Sequence, residues 1–150
     1  MQVREAKISD VEAIKELIRS YAELDRMLSR SKADIYENLQ SFLVAEIDGR
    51  VVGCCALQIV WADLAEIKSL AVDEDFLGKG VGRQLVAAAI EKAGQLGIGK
   101  LFALTLERLF FEKLGFATVD RDTLPMKVWT DCARCPKQDN CDEIAVLLKL

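Results

Sequence analysis

The sequence has no histidine among its 150 residues. This absence excludes a histidine general base, the Ser-His-Asp and Cys-His nucleophile pairs, and histidine as a metal ligand. Proton transfer near neutral pH must therefore use carboxylates, thiols, tyrosines, lysines or water.

Long apolar runs and basic blocks are also absent. No apolar run approaches the ~20 residues of a membrane span, and the opening MQVREAKISD lacks a secretory hydrophobic region. We therefore expect a cytoplasmic protein with no membrane partner. A net charge of −4 without clustered lysine and arginine argues against a nucleic-acid partner. With 51% hydrophobic residues, residues 1–150 predict a single compact domain.

Three glycines lie within five positions, between a strand-like run, 65–72, and a helical pattern, 82–96. Glycines that take positive φ can turn successive N–H groups toward one anion, and a helix N-terminus adds further unpaired N–H groups. The pattern predicts a phosphate-binding loop, with a tight strand–helix connection as the alternative. The candidate residues are Gly78, Lys79, Gly80, Val81, Gly82 and Arg83.

The remaining patterns predict an α+β fold. Asp48-Gly49 is a favoured hairpin turn between strands 42–47 and 51–60. Ser9 and Glu12 form a predicted capping box for a first helix, 10–24, and Ser31 a cap for a short second helix. Further predicted elements are a strand at 100–106, a short helix at 109–114, a strand from 116 and a last strand at 143–150. The apolar last strand could pair across a homodimer.

The glycine loop fits neither a P-loop nor a dinucleotide fingerprint, because Lys79 is followed by glycine and the third glycine comes one residue early. Residues 77–82, LGKGVG, and 110–116, FFEKLGF, instead resemble two motifs of the GNAT acetyltransferase superfamily. Leu77 departs from the family, which has glutamine or arginine there. The resemblance implies a mixed central sheet of about six to seven strands, helices on both faces, and acetyl-CoA bound where two parallel strands splay apart.

The resemblance also implies roles for residues beside the splay, between strands 65–72 and 100–106. The pantetheine arm is expected to bind along Leu70, Ala71 and Val72, with the Leu70 N–H polarising the thioester carbonyl. Phe111 stands in this cofactor site where the family often has a tyrosine that protonates the leaving thiolate. Thr105 is the nearest hydroxyl that could replace that tyrosine, and an ordinary strand residue is its alternative interpretation.

Glu66 is the candidate general base. Strand alternation predicts that Glu66 shares a face with Lys68 and Leu70, while Ser69 and Ala71 point the other way. A carboxylate beside the splay could take a proton from an amine, and partial burial is expected to raise its pKa toward a useful range. The alternative is a salt bridge with Lys68.

The acceptor has to be inferred from positive charge. Arg30, with Lys68 and Lys127, could bind a substrate carboxylate, since arginine offers bidentate recognition; an exposed helix-end arginine is the alternative. The stretches MLSRS, LAEIKSLAVDE and LPMKVWTDCARCP resemble short amino-acid N-acetyltransferases related to N-acetylglutamate synthase. That resemblance implies acetylation of the α-amine of glutamate, in arginine biosynthesis. Another small amine, a protein N-terminus or a non-catalytic acyl-CoA sensor are the alternatives.

Three cysteines fall in the segment 131–142 with the spacing C-x2-C-x5-C. Cys132, Cys135 and Cys141 are weak metal candidates, because a thiolate site usually has four ligands and the sequence supplies no histidine. We therefore predict no metal, with a reduced thiol-lined loop as the simpler interpretation. Cys54 and Cys55 are expected to be buried apolar residues of a core strand.

Overall fold

The computed structural model describes residues 1–124 and 143–150. In this part of the chain a seven-stranded mixed sheet has the strand order β1-β2-β3-β4-β5-β7-β6. The strands are β1 Gln2–Glu5, β2 Phe42–Ile47, β3 Arg50–Trp61, β4 Leu64–Val72, β5 Lys100–Thr105, β6 Ala117–Val119 and β7 Ile144–Lys149. The α-helices are α1 Val11–Ala22, α2 Lys32–Glu37, α3 Val81–Gln95 and α4 Arg108–Lys113. Among the described residues no helix is long and apolar enough to cross a bilayer.

Local signals explain several of these elements. Asp48 and Gly49 both have positive φ, 50° and 76°, which confirms the predicted hairpin turn between β2 and β3. The Ser31 side chain accepts the Asp34 N–H at 3.1 Å, which confirms the cap of α2. The hairpin turn and the helix cap are thus both specified by residues close together in the sequence.

The start of the chain was predicted less well. The capping box of Ser9 and Glu12 is wrong, because a 3₁₀ turn, Ile8–Asp10, precedes α1. Its last residue, Asp10, accepts the Lys7 N–H at 2.7 Å and forms an ion pair with Arg4 at 2.8 Å. Strand β1 was not predicted, since four residues with two exposed ends give no clear alternation.

Helices cover both faces of the sheet, as predicted. On one face the core contains α3 residues packed against β2–β5, with Leu85, Val86 and Ala89 fully buried. On the other face α1 and α2 pack against the sheet through Ile14, Ile18 and Ile35. The two cores hold the central strands between rigid layers, so the position of β4 is set from both sides.

The splay lies between β4 and β5. These strands pair in parallel over Leu64–Glu66 and Lys100–Phe102. Beyond those residues, no pairing across the gap occurs in the described part of the chain, and β5 continues to pair with β7 as far as Thr105. The gap therefore exposes the edge of β4 from Ile67 onward.

A bulge in β4 creates this gap. The register with β3 changes from Cys54 opposite Ala71 to Ala56 opposite Lys68, which leaves one extra residue in β4. Ser69 absorbs it with a left-handed φ of 55°. The predicted alternation is wrong beyond this point: Leu70 packs with the α3-side core, and the Ser69 hydroxyl accepts a hydrogen bond from Arg30 on the α2 side.

Gly53 allows α3 to approach the sheet closely. A Cβ at Gly53 would lie 2.9 Å from both Leu85 Cδ1 and Val81 Cγ1. We expect Gly53→Ala to lower the free energy of unfolding by about 1–3 kcal/mol, as overpacking of a filled core does. Chemical denaturation would measure this.

Gly94→Ala, on α3, is the matched control, because a Cβ there would meet no neighbouring group within 4 Å outside its own helical turns. This change should stabilise the protein by about 0.5–1 kcal/mol through helix propensity. A Gly53→Ala protein as stable as the wild type would contradict the close packing of α3.

Candidate functional site

The open edge of β4 presents backbone groups to the gap. The Asp73 N–H donates to the Val52 carbonyl of β3 at 2.8 Å, so Asp73 and, two residues earlier, Ala71 face β3. By alternation, the N–H and C=O groups of Leu70 and Val72 face the gap. Two of the three residues predicted to line the cofactor arm thus offer free-edge backbone, whereas Ala71 is turned toward β3.

A tyrosine hydroxyl that the sequence did not single out contacts this edge. Tyr21, in the last turn of α1, accepts the Val72 N–H at 3.2 Å and donates to the Val72 C=O at 3.2 Å. The Arg26 guanidinium lies 5.4 Å from the Tyr21 ring centroid and forms an ion pair with Glu107, just beyond β5. In the sequence Tyr21 belongs to the apolar stripe of α1, which gave no signal of a polar role.

The glycine loop has the geometry expected for an anion cradle at two of its three glycines. Gly78 and Gly80 have φ values of 74° and 80°, and Gly80 immediately precedes α3. The prediction of positive φ is wrong for Gly82, which is helical. A Cβ at Gly82 would lie 3.4 Å from Phe110 Cζ, so this glycine serves close packing. Val81 is buried and can offer a ligand only its backbone.

Positive side chains surround the cradle. Lys79 and Arg83 are exposed, and Lys79 Nζ lies 5.2 Å from the Phe76 ring centroid. Arg50, at the start of β3, lies 5.6 Å from the same ring and pairs with Asp73 at 2.7 Å. The sequence did not indicate Arg50, because it reaches the loop only through the β3–β4 pairing. Leu77 is 57% exposed and contributes no charge.

Glu66 lies where β4 and β5 separate. It is the last β4 residue paired with β5, opposite Phe102, and it faces Gln58 across β3. Its side chain is buried, and it shares the α2-side face with Lys68, because Ile67 between them packs in the α3-side core. A carboxylate is therefore held at the closed end of the gap.

Arg30 is fixed against the bulge. Its Nε lies 2.7 Å from Asp34 Oδ2, its Nη1 3.2 Å from Ser69 Oγ, and its guanidinium 5.0 Å from the Phe42 ring centroid. Only 11% of the side chain is exposed, so the alternative of an exposed helix-end arginine is wrong. The Arg30 hydrogen bond holds the pKa of Asp34 below its usual value, which keeps this pair charged.

A cavity of about 330 Å³ begins at Arg30 and follows the free edge of β3. Apart from Arg30, its polar lining was not predicted, because the residues come from separate parts of the chain. They are Arg30, Asn38, Gln40, Ser41, Gln58 and Lys92, with Ala56, Leu57, Ile59 and Leu96 as the apolar part. One lining residue, Gln58, pairs with Glu66 in the β3–β4 ladder, although Glu66 itself does not line the cavity. Lys127 lies outside the described residues.

The two candidates for a proton donor occupy different environments. Thr105 is 9% exposed, and its Oγ1 accepts the Glu107 N–H at 2.8 Å while keeping its own proton for donation. Phe111 is 3% exposed and packs edge-on against Phe110 and Phe116, with ring centroids 5.1 Å apart in each pair. Phe111 is thus a core residue, and the Phe110 ring lies nearer to the glycine loop.

The cysteines in the described chain are structural. Cys54 and Cys55 are fully buried, as expected, and burial raises the pKa of Cys55 to about 12. Burial raises the pKa of Cys54 as well. The metal candidates Cys132, Cys135 and Cys141 lie outside the described residues. Within residues 1–124 and 143–150, no group of three metal-ligating side chains occurs.

Together these groups suit an extended ligand that ends in phosphates. The free β4 edge can hydrogen-bond an amide-containing arm, the glycine loop can hold phosphates at the start of α3, and Glu66 lies at the other end. On the far side of the bulge, Arg30 can hold a carboxylate. The arrangement fits transfer between two substrates that meet at Leu70.

The sequence is similar to a known protein family and to individual proteins. The family model described as Acetyltransferase (GNAT) family matches residues 10–116. An uncharacterised N-acetyltransferase of Chlorobaculum tepidum is 42% identical over 148 residues, which cover 99% of this chain and 96% of the relative. An amino-acid acetyltransferase of Mycobacterium tuberculosis is 38% identical over 135 residues, which cover 88% of this chain and 77% of the relative.

Solved structures are similar to this chain as well. A Mycobacterium tuberculosis protein in complex with CoA and NLQ superposes with a TM-score of 0.88 at 33% identity, over 100% of this chain and 99% of that chain. The N-acetylglutamate synthase of Neisseria gonorrhoeae, complexed with coenzyme A and N-acetyl-glutamate, gives a TM-score of 0.90 at 32% identity. That match covers 99% of this chain and 35% of the synthase chain.

The family model covers well over half of the chain, and the relatives are similar along most of it. The β4–β5 splay and the glycine loop lie where the motifs placed them. The chain therefore belongs to the GNAT acetyltransferase family and is an acetyl-CoA-dependent N-acetyltransferase.

Proposed function

We propose that this enzyme acetylates the α-amine of L-glutamate, a reaction of arginine biosynthesis. The observation that carries the proposal is the position of Arg30, whose guanidinium is held 3.2 Å from Ser69 at the β4 bulge, on the face that bears Glu66. A fixed guanidinium and a carboxylate base on one face suit an acceptor that has both a carboxylate and an amine. Relatives named amino-acid acetyltransferase support the same substrate class.

The cofactor site can be assigned residue by residue. Backbone N–H groups of the loop from Gly78 to Gly82 hold the phosphates, with Lys79, Arg83 and Arg50 supplying positive charge around them. Leu70 and Val72 pair with the pantetheine arm along the free edge of β4. Acetyl-CoA supplies an activated acetyl thioester to this site.

The protein then supplies proton transfer and charge stabilisation. The acceptor amine forms a bond to the acetyl carbon as its proton passes to Glu66, directly or through water, and the carbon–sulfur bond breaks. The Leu70 N–H stabilises negative charge on the carbonyl oxygen. Thr105 keeps a donatable proton and can hydrogen-bond the departing sulfur, because Phe111 has no hydroxyl. The proton taken up by Glu66 returns through water to the thiolate, which balances the reaction. No covalent enzyme intermediate is required.

Arg30 retains donors for a substrate. A guanidinium has five N–H groups, and the contacts with Asp34 and Ser69 use three of them. The two that remain can bind one carboxylate of the acceptor. Lys68 carries a second positive charge on the same face, and Lys127 stays a candidate from the sequence alone.

Arg30→Ala should raise the KM for glutamate by about 10- to 100-fold, as expected when a charged hydrogen-bond donor is lost. The KM for acetyl-CoA should change less than about twofold, since Arg30 contacts no part of the proposed cofactor site. Steady-state kinetics with both substrates varied would measure the two effects separately.

Arg19→Ala is the control, because Arg19 lies on α1 and pairs only locally with Glu16 and Glu23 among the described residues. Arg30→Lys distinguishes recognition from charge, since lysine keeps the charge but loses the planar fork. An unchanged KM for glutamate in Arg30→Ala would exclude the carboxylate clamp and favour a different amine or a protein N-terminus.

Glu66→Gln should lower kcat at neutral pH by about 10²- to 10⁴-fold, the range for loss of a general base. Activity should recover partly as pH rises, because more of the acceptor amine is then already deprotonated. Coenzyme A affinity should remain close to that of the wild type, which isothermal titration would show.

Glu91→Gln on the exposed face of α3 is the matched control and should leave kcat unchanged. Wild-type turnover in Glu66→Gln across the pH range would remove Glu66 from the mechanism. It would leave water or another group to accept the proton.

A further inference from the structure

The Tyr21 hydroxyl satisfies both backbone groups that Val72 presents to the gap. It accepts the Val72 N–H and donates to the Val72 C=O, each at 3.2 Å. No strand of the described chain pairs with this part of β4 on the gap side. Tyr21 therefore stands in for a neighbouring strand at one residue.

We infer that Tyr21 is a placeholder for the acetyl-CoA arm, which displaces its hydroxyl from Val72 when the cofactor binds. This inference rests on the proposed seat of the pantetheine arm along Leu70 and Val72. A backbone N–H has one proton to donate, so Val72 cannot bond fully to both the tyrosine and the arm. The two contacts are therefore alternatives.

The reason for such a placeholder lies in the cost of unpaired backbone groups. Val72 is 8% exposed, and its N–H and C=O would lose hydrogen bonds if the edge stood empty. Tyr21 lies half-buried at the end of α1. Tyr21 keeps the N–H and C=O of Val72 hydrogen-bonded without closing the gap permanently.

Tyr21 also contacts the connection between α1 and α2, which carries the proposed acceptor clamp, Arg30. The Arg26 side chain lies over the Tyr21 ring, its backbone N–H donates to the Tyr21 carbonyl at 3.0 Å, and it pairs with Glu107 across the gap. The same connection, between α1 and α2, carries Arg30. Only the short connection between α1 and α2 thus separates Tyr21 from the proposed acceptor clamp.

The direction in which Tyr21→Phe changes the affinity for coenzyme A tests the placeholder. In Tyr21→Phe the free protein loses the two hydrogen bonds, whereas the complex loses neither, so coenzyme A should bind about three- to tenfold more tightly. Isothermal titration of coenzyme A into the full chain would measure this. Tyr36→Phe is the matched control, since Tyr36 is the other tyrosine of the chain and is 45% exposed on α2.

The outcomes separate the two proposals. A wild-type protein that does not bind coenzyme A would overturn the proposed cofactor site itself. A wild type that binds, with a Tyr21→Phe variant that binds equally or more weakly, would overturn the placeholder alone. A purely structural tyrosine would lower the melting temperature by the same amount with and without coenzyme A, whereas a placeholder lowers it only without.

A second measurement follows the wild-type protein and needs Tyr21→Phe only to assign the signals. With only two tyrosines in the sequence, ¹³C labelling at the tyrosine Cζ gives two signals, which Tyr21→Phe assigns. Saturating coenzyme A should shift the Tyr21 signal and leave the Tyr36 signal in place. An unmoved Tyr21 signal would show that its hydroxyl stays on Val72 and would contradict the inference.

Discussion

The left-handed conformation of Ser69 is the constraint on which the site depends. One extra residue in β4 shifts its register with β3 and turns the strand away from β5. The same bulge points the Ser69 hydroxyl to Arg30 and leaves Leu70 facing the opposite core. A single local irregularity thus opens the gap proposed for the cofactor and anchors Arg30, the proposed acceptor clamp.

Packing by the two cores stabilises this irregular strand. Helix α3 packs against Gly53 at close range and brings the glycine loop to the end of β4, while α1 and α2 hold the other face. Backbone strain of the kind seen at Ser69 persists only where the surroundings over-determine it. The proposed donor and acceptor sites therefore lie on opposite sides of one rigid strand.

Local signals in the sequence were sufficient for much of the fold and for the conformation of the glycine loop at Gly78 and Gly80. Asp48-Gly49, the Ser31 cap and the glycines at 78 and 80 specify turns through their own backbone preferences. Ser69 carries no such preference, because its conformation follows from pairing between β3 and β4. Tyr21 likewise fits an apolar helix stripe, and only the tertiary structure shows its hydroxyl on Val72.

The most direct test of the account is amide hydrogen exchange at Leu70 with and without coenzyme A. If the arm pairs with the free edge of β4, the Leu70 amide gains protection when coenzyme A saturates the protein. The Ala71 amide, which faces β3, serves as the internal reference and keeps its rate. Unchanged exchange at Leu70 under saturating coenzyme A would contradict the assignment of this edge as the cofactor seat.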